Sequence, residues 1–314
     1  MGASTNELFG AATAAEPATP GSYGQPPKGY RLPQLTRLGA VHLQVADLAR
    51  SLAFYEEALG FRVAERTTTS AQLAAHDDTR VLIELHERAG ATPVGRRASL
   101  GLYHVAILLP DRASLGRFFR EMATRRLHVG AGDHLVSEAL YMSDPDGLGL
   151  EIYRDRPRSD WHRLGRELML ATDPVDFESL IESAGDTPWT GMPKGTVIGH
   201  VHLHVGNLDQ AAAFYAEALG FDRVTWRYPG ALFMGAGGYH HHVGTNTWAG
   251  PHAQPAADNE ARLLAWTIEL PDAASVDAAA ASVAAAGFPV TRVGTNAAMR
   301  DPWGLEVRVV AAAP

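Results

Sequence analysis

The chain has no cysteine. That absence removes disulfides, thiolate ligands and a cysteine nucleophile together, so any metal must be held by His, Asp or Glu. No apolar run approaches the roughly 18 residues a bilayer-spanning helix needs. No Lys/Arg run interrupts a net charge of −8, so neither nucleic acid nor an anionic membrane is expected as a partner. The first residues lack a basic stretch followed by an apolar core; no secretory signal is read there, and a cytoplasmic location is expected. Residues 1–37, rich in Ala, Pro, Gly and Ser near their start, are expected to be a mobile tail. What the chain has in supply is histidine: fourteen of 314 residues.

Repeats decide the architecture. The stretch Val41–Phe61 recurs at Val201–Phe221 with thirteen of 21 positions identical, and His104–Asp111 has a weaker copy at Ala265–Asp272. Each of the four segments reads as an alternating strand, then a helix-capping residue, then a helix. The caps are Asp47, Asp111, Asn207 and Asp272. The helices are expected at about 47–59, 111–126, 207–219 and 272–286, with Gly60, Gly220 and Gly287 as C-caps. Short β-rich runs follow at 62–65, 81–86, 140–142, 149–153, 223–227, 231–234, 239–243, 290–293 and 305–310. The expectation is an α+β fold of four βαβββ modules. Modules one and two occupy 38–154 and modules three and four 199–314, as two tandem domains. A connector, 155–198, carries short helical patterns at 160–170 and 175–184.

Within module two, His104 lies on one apolar strand and Glu151 on another. An imidazole and a carboxylate so placed are two thirds of a mononuclear metal site. Both the repeat and three segments, Gly101–Asp111, Gly132–Tyr141 and Gly237–Gly244, resemble the vicinal oxygen chelate superfamily. Within it they are similar to the two-domain bacterial catechol-2,3-dioxygenases, type I extradiol enzymes.

The resemblance implies a ligand register. The family's first-strand ligand lies seven residues before the helix cap, which gives Ala40, His104, His200 and Ala265. Its carboxylate lies seven residues after the Asp of an Asp-Pro-x-Gly turn, which gives Glu151 from Asp144 and Arg308 from Asp301. The implied set is His104, Glu151 and His200, drawn from modules two and three. It leaves open positions for a bidentate diol and dioxygen on Fe(II), with Mn(II) as the alternative. Glu306 is the rival carboxylate. His42 is read as structural, and His202 as structural or as a support for the ligands.

The resemblance further implies a proton-handling histidine within His240-His241-His242, with His241 chosen by register and its neighbours left open. His134 and Tyr141 match the family's helper pair. Phe54-Tyr55 and Phe214-Tyr215 are read as core. The implied activity is extradiol cleavage of a catechol-like aromatic diol by dioxygen. A glyoxalase-type isomerase or lyase is less well matched, having one well-placed carboxylate where two are common. A small-molecule binding protein would leave His104 and Glu151 unexplained. A homo-oligomer is suggested by family analogy alone.

Overall fold

The four expected helix starts are all capped by the side chains named above. Asp47, Asp111, Asn207 and Asp272 each accept a hydrogen bond from the backbone N–H three residues on, at 2.7–2.9 Å. A cap of this kind is worth about 1 kcal/mol. The computed structural model describes residues 2–10, 14–95 and 99–312. Arg112–Thr124 and Ala273–Ala285 are ordinary α-helices. Leu48–Leu52 and Leu208–Ala211 instead widen into π-helical segments, Ala53–Ala58 and Ala212–Ala218. Within these segments Tyr55 and Tyr215 are fully buried, and their hydroxyls donate to Asp144 and Asp301 at 3.3 and 2.9 Å. Each bond ties a module to its successor in the chain.

The sheets join the modules differently. One eight-stranded sheet runs Asp222–Thr225, Ala231–Gly235, Val243–Asn246, Val197–His204, Gly101–Leu108, Gly149–Asp155, Ser137–Ser143, Gly130–Asp133. It is built from modules two and three. The other runs Val290–Val293, Asn296–Arg300, Glu306–Ala311, Arg262–Leu270, Arg37–Val45, Val81–Glu87, Ser70–Ala74, Arg62–Arg66, from modules one and four. Each sheet therefore takes one module from 38–154 and one from 199–314. The central strands of each sheet pair antiparallel, and each module's last strand lies parallel to its first. The modules are βαβββ throughout, with Ser70–Ala74, Gly130–Asp133 and Asn296–Arg300 as strands the sequence pattern did not mark.

Residues alternate between two faces on the central strands. Val41, Leu43 and Val45, like Val201 and Leu203, enter one shared apolar cluster that also holds Ile83, Val105, Ile152 and Trp266. Each such buried side chain contributes roughly 1.5–3 kcal/mol. The opposite face of each sheet is concave and carries the polar residues.

Three expectations need correction. Of the expected tail, residues 1 and 11–13 lie outside the described residues, and the part from Glu16 to Leu32 is not loose. Glu16–Pro17 pairs with the connector strand His162–Leu164, Tyr23 and Leu32 are buried, and the Leu32 N–H donates to the Gly220 carbonyl at 2.9 Å. A few apolar anchors outweigh a permissive composition. The 160–170 stretch holds two strands, His162–Leu164 and Glu167–Leu168, because Gly165 turns the chain at φ +64°; the 175–184 pattern is the helix Phe177–Ser183. Finally, the strand expected at 239–243 begins only at Val243. Gly237 and Gly238, both at positive φ, bend the backbone ahead of it and leave the three histidines in a loop.

Candidate active site

On the concave face of the module two and three sheet, alternation brings His200, His202 and His204 to one side of a single strand. Across the antiparallel ladder His202 lies opposite His104, and across the parallel ladder Glu151 lies opposite Ala106. Gly199 precedes His200 because nothing larger fits: a Cβ there would lie 1.7 Å from the Tyr153 hydroxyl. Tyr153 packs against the His200 ring at a centroid distance of 5.0 Å.

His104, Glu151 and His200 converge although they come from three strands. The His104 Nε2 atom is 2.9 Å from Glu151 Oε2, His200 Nε2 is 3.3 Å from the same oxygen, and the two Nε2 atoms are 3.4 Å apart. Spacings near 3 Å suit neighbouring ligands around one ion with bonds of about 2.1 Å. All three side chains are buried. Burial alone would raise the Glu151 carboxyl, but the His200 and His104 imidazoles outweigh it and hold it well below the usual range. Burial lowers His200 to about 4, against the opposing pull of Glu151. At neutral pH the carboxylate is charged and the His200 imidazole neutral, the forms that bind metal. The donor set fits a 2-His-1-carboxylate metal ion.

The loop histidines resolve into distinct roles. His240 Nε2 contacts the Asp155 carboxylate at 2.9 Å, and its Nδ1 lies 2.7 Å from His241 Nδ1. A carboxylate only accepts, so a neutral His240 carries its proton on Nε2 and accepts at Nδ1. His241 then donates from Nδ1 and keeps a bare lone pair on Nε2. The His241 ring lies tilted against His200, centroids 4.1 Å apart, and lines the cavity; burial, reinforced by the surrounding histidines, holds it far below the usual imidazole range. His242 points away, accepting the Ala236 N–H at 3.1 Å.

His134 and Tyr141 meet as a pair, Nε2 to hydroxyl 2.5 Å, while His134 Nδ1 reaches the Ala171 carbonyl at 2.7 Å. The carbonyl fixes the proton on Nδ1, so Tyr141 donates to Nε2. Burial, with Glu151 nearby, raises the Tyr141 phenol well above its ordinary value. Both residues line a cavity of about 670 Å³ together with the three converging side chains and His241.

The cavity also has walls that motif spacing does not reveal. Tyr103 stands edge-on to Trp248 at 5.5 Å and to His202 at 5.1 Å, and Tyr228 and Phe233 lie beside them. Asn246 donates to His202 Nε2 at 3.0 Å and accepts from His204 Nδ1 at 2.7 Å, fixing both rings. The period-two run of histidines at 200, 202 and 204 was the available signal for that cluster. Gly2 lines the same cavity, and the Ala3 N–H donates to the Tyr228 hydroxyl at 2.9 Å. Glu306 is elsewhere, in the other sheet, bound to Arg300 and Arg308. His42 is there too, but not as a lone polar residue: it meets Glu84 and His86.

Comparison with known proteins places the chain in a family. The family model described as the Glyoxalase/Bleomycin resistance protein/Dioxygenase superfamily matches residues 37–152 and 197–309. A catechol-2,3-dioxygenase of Bacillus subtilis strain 168 is 45% identical over 271 residues, covering 85% of this chain and 94% of the relative. Among solved structures, a B. subtilis strain 168 protein provisionally assigned as a dioxygenase superposes with a TM-score of 0.64 at 13% identity, over 91% of this chain and 87% of its own. A point mutant of maize (Zea mays) glyoxalase I gives 0.52 at 17% identity, over 88% and 94%. The structural likenesses speak for the fold alone.

Proposed function

The chain belongs to the glyoxalase/bleomycin resistance protein/dioxygenase superfamily, and we propose that within it this protein is an extradiol dioxygenase that opens a catechol-like aromatic diol using Fe(II). The observation that carries the proposal is the convergence of His104, Glu151 and His200 on one buried point beneath an aromatic-walled cavity. When bound there, Fe(II) would supply a chelation point for the two diol oxygens and a route for electrons to dioxygen. Mn(II) shares these ligand preferences.

The protein's own groups divide the remaining work. Tyr103, Trp248 and Phe233 present faces and edges that hold a planar ring and keep water from it. The unprotonated Nε2 of His241 accepts a hydrogen bond from a diol hydroxyl as the substrate binds, and because burial makes it a weak base, any proton it takes up is readily returned when the ring opens. Asp155, through His240, keeps His241 in the tautomer that can do so. The Tyr141 hydroxyl, whose one hydrogen goes to His134 in the free site, stands beside Glu151 and can turn that hydrogen from His134 towards oxygen charge developing there.

The test is direct. After anaerobic loading with Fe(II), catechol in air should give oxygen uptake and a yellow ring-cleavage product. An iron-loaded protein that consumes no oxygen with any of several substituted catechols would refute the proposal.

A further inference from the structure

The second sheet holds its own cluster. His42 Nδ1 lies 3.2 Å from Glu84 Oε2, His86 Nε2 lies 3.6 Å from that oxygen, and the two imidazole nitrogens are 3.4 Å apart. This triangle nearly repeats the 2.9, 3.3 and 3.4 Å of the first site. It is not a copied site. By the repeat, Ala40 and Ala265 stand where His200 and His104 stand. Only Glu84 keeps its register, lying opposite His42 as Glu151 lies opposite Ala106. Its two histidines stand at other positions, one on each of two parallel strands: His42, the repeat counterpart of His202, and His86. Gln72 Nε2 reaches Glu84 Oε1 at 3.4 Å, which leaves Oε2 to face both imidazoles.

We propose that His42, Glu84 and His86 form a second divalent-cation site, independent of the first and selective for borderline first-row ions such as Zn²⁺. Two imidazoles and one carboxylate are that class's ligands, and the absence of thiolates disfavours softer ions. The site is shallower than the first: His42 is buried, but the His86 side chain is 39% exposed and Glu84 25%. An ion there keeps water ligands and needs no channel to enter.

Arg308 is the competitor. It occupies the carboxylate's register in module four, opposite Thr267, and its guanidinium donates to His42 Nε2 at 3.1 Å. While it does, the His42 proton sits on Nδ1 and is given to Glu84. A cation must replace that proton and turn Arg308 outward. The arginine side chain is 43% exposed and bound to Glu306 at 2.8 Å, so it has room to move. The ion would then clip Arg37–Val45 to Val81–Glu87 at their cup faces.

Metal-stripped full-length protein titrated with Zn²⁺, and crystals soaked in Zn²⁺ and measured at the zinc edge, test this. Expected are an anomalous peak among His42, Glu84 and His86 and one fewer zinc per chain in His86→Ala, a half-exposed position that tolerates truncation. Arg308→Ala should tighten this zinc about tenfold by removing a nearby positive charge. No peak at this cluster under saturating zinc overturns the proposal, whatever the first site binds. So does an unchanged zinc count in His86→Ala, and an unchanged affinity in Arg308→Ala refutes the competing role of the arginine.

Discussion

The two concave faces share a scaffold and differ in what they carry. Both have capped helices, a buried tyrosine bonded to a turn aspartate, and parallel last strands. In the module two and three sheet the carboxylate register holds Glu151 and Gly244, and both first-strand ligand positions are histidine. In the module one and four sheet that register holds Glu84 and Arg308, and both ligand positions are alanine. One face is a cavity around converging donors; the other satisfies its carboxylate with two imidazoles and carries a guanidinium against His42. The core and the cup vary separately because alternate residues of one strand serve them. Duplication could therefore keep one and rewrite the other.

The largest break in this comparison comes from exchanging ligand losses between the faces. His200→Ala should reduce kcat/KM for catechol by roughly a thousandfold or more, about 4 kcal/mol of barrier, and abolish iron retention at the first site. His42→Ala should leave both within about twofold. Oxygen uptake and iron content per chain check the pair, and a dead His42→Ala with an active His200→Ala would move the reaction to the other sheet. Next in size is His241→Ala, expected to lower kcat by a factor of about 10² to 10⁴ while iron stays bound. Asp155→Asn should act in the same direction but more weakly, because it touches His241 only through His240. Rapid-quench or stopped-flow measurement of the ring-opening step separates these from effects on binding.

The register implied by the family resemblance, counted back from the helix caps to His104 and His200 and forward from the Asp144 turn to Glu151, names three residues that do lie together, because strand register is rigid once cap and turn are placed. The same count passes over Ala40, Ala265 and Arg308 as ligand positions. It could not find Glu84 or His86 as partners of His42, since only the parallel pairing of two strands distant in sequence brings them together. His241 lines the cavity, yet from a loop and not a strand: two glycines at positive φ break the alternation that would have placed it. The cavity walls were hidden for a third reason. Tyr103, Tyr228, Trp248 and Gly2 come from four separate segments, and no local pattern links them.

Gly2 and Ala3 distinguish the two faces: Gly2 lines the first cavity and Ala3 bonds its wall residue Tyr228, whereas neither touches the cluster of the second face. The Thr172 N–H donates to the Ala3 carbonyl at 2.8 Å, and Thr5 donates to Asp173 from its amide at 2.9 Å and its hydroxyl at 2.5 Å. Removing residues 2–10 unties Tyr228 and Thr172 from this segment. KM for catechol should rise about fivefold, the equivalent of roughly 1 kcal/mol for one lost net hydrogen bond, with kcat less affected. Zinc binding at the second face should not change. Steady-state kinetics beside a zinc titration of the same truncated protein reads both.

The smallest difference lies in the turn aspartates beneath the two faces. Burial raises Asp144 to about 6, against the opposing hydrogen bonds from the Leu148 and Asp146 amides; Asp301 is raised for the same reason. A carboxyl whose folded value exceeds its unfolded one binds protons better when folded. Its stabilising effect is therefore complete below about pH 4 and lost as pH rises towards about 6. Asp144→Asn removes that dependence while keeping an oxygen that can accept the two amides. The variant should gain about 2–3 kcal/mol relative to wild type on going from pH 4 to pH 7, read from urea unfolding at both pH values. Asp301→Asn should gain in the same direction, and a Tyr215 bond of 2.9 Å against 3.3 Å for Tyr55 predicts the smaller gain there, because the donated hydroxyl already favours the ionised form. Equal gains at the two turns would mean that the hydroxyl contributes nothing and that burial alone sets both groups.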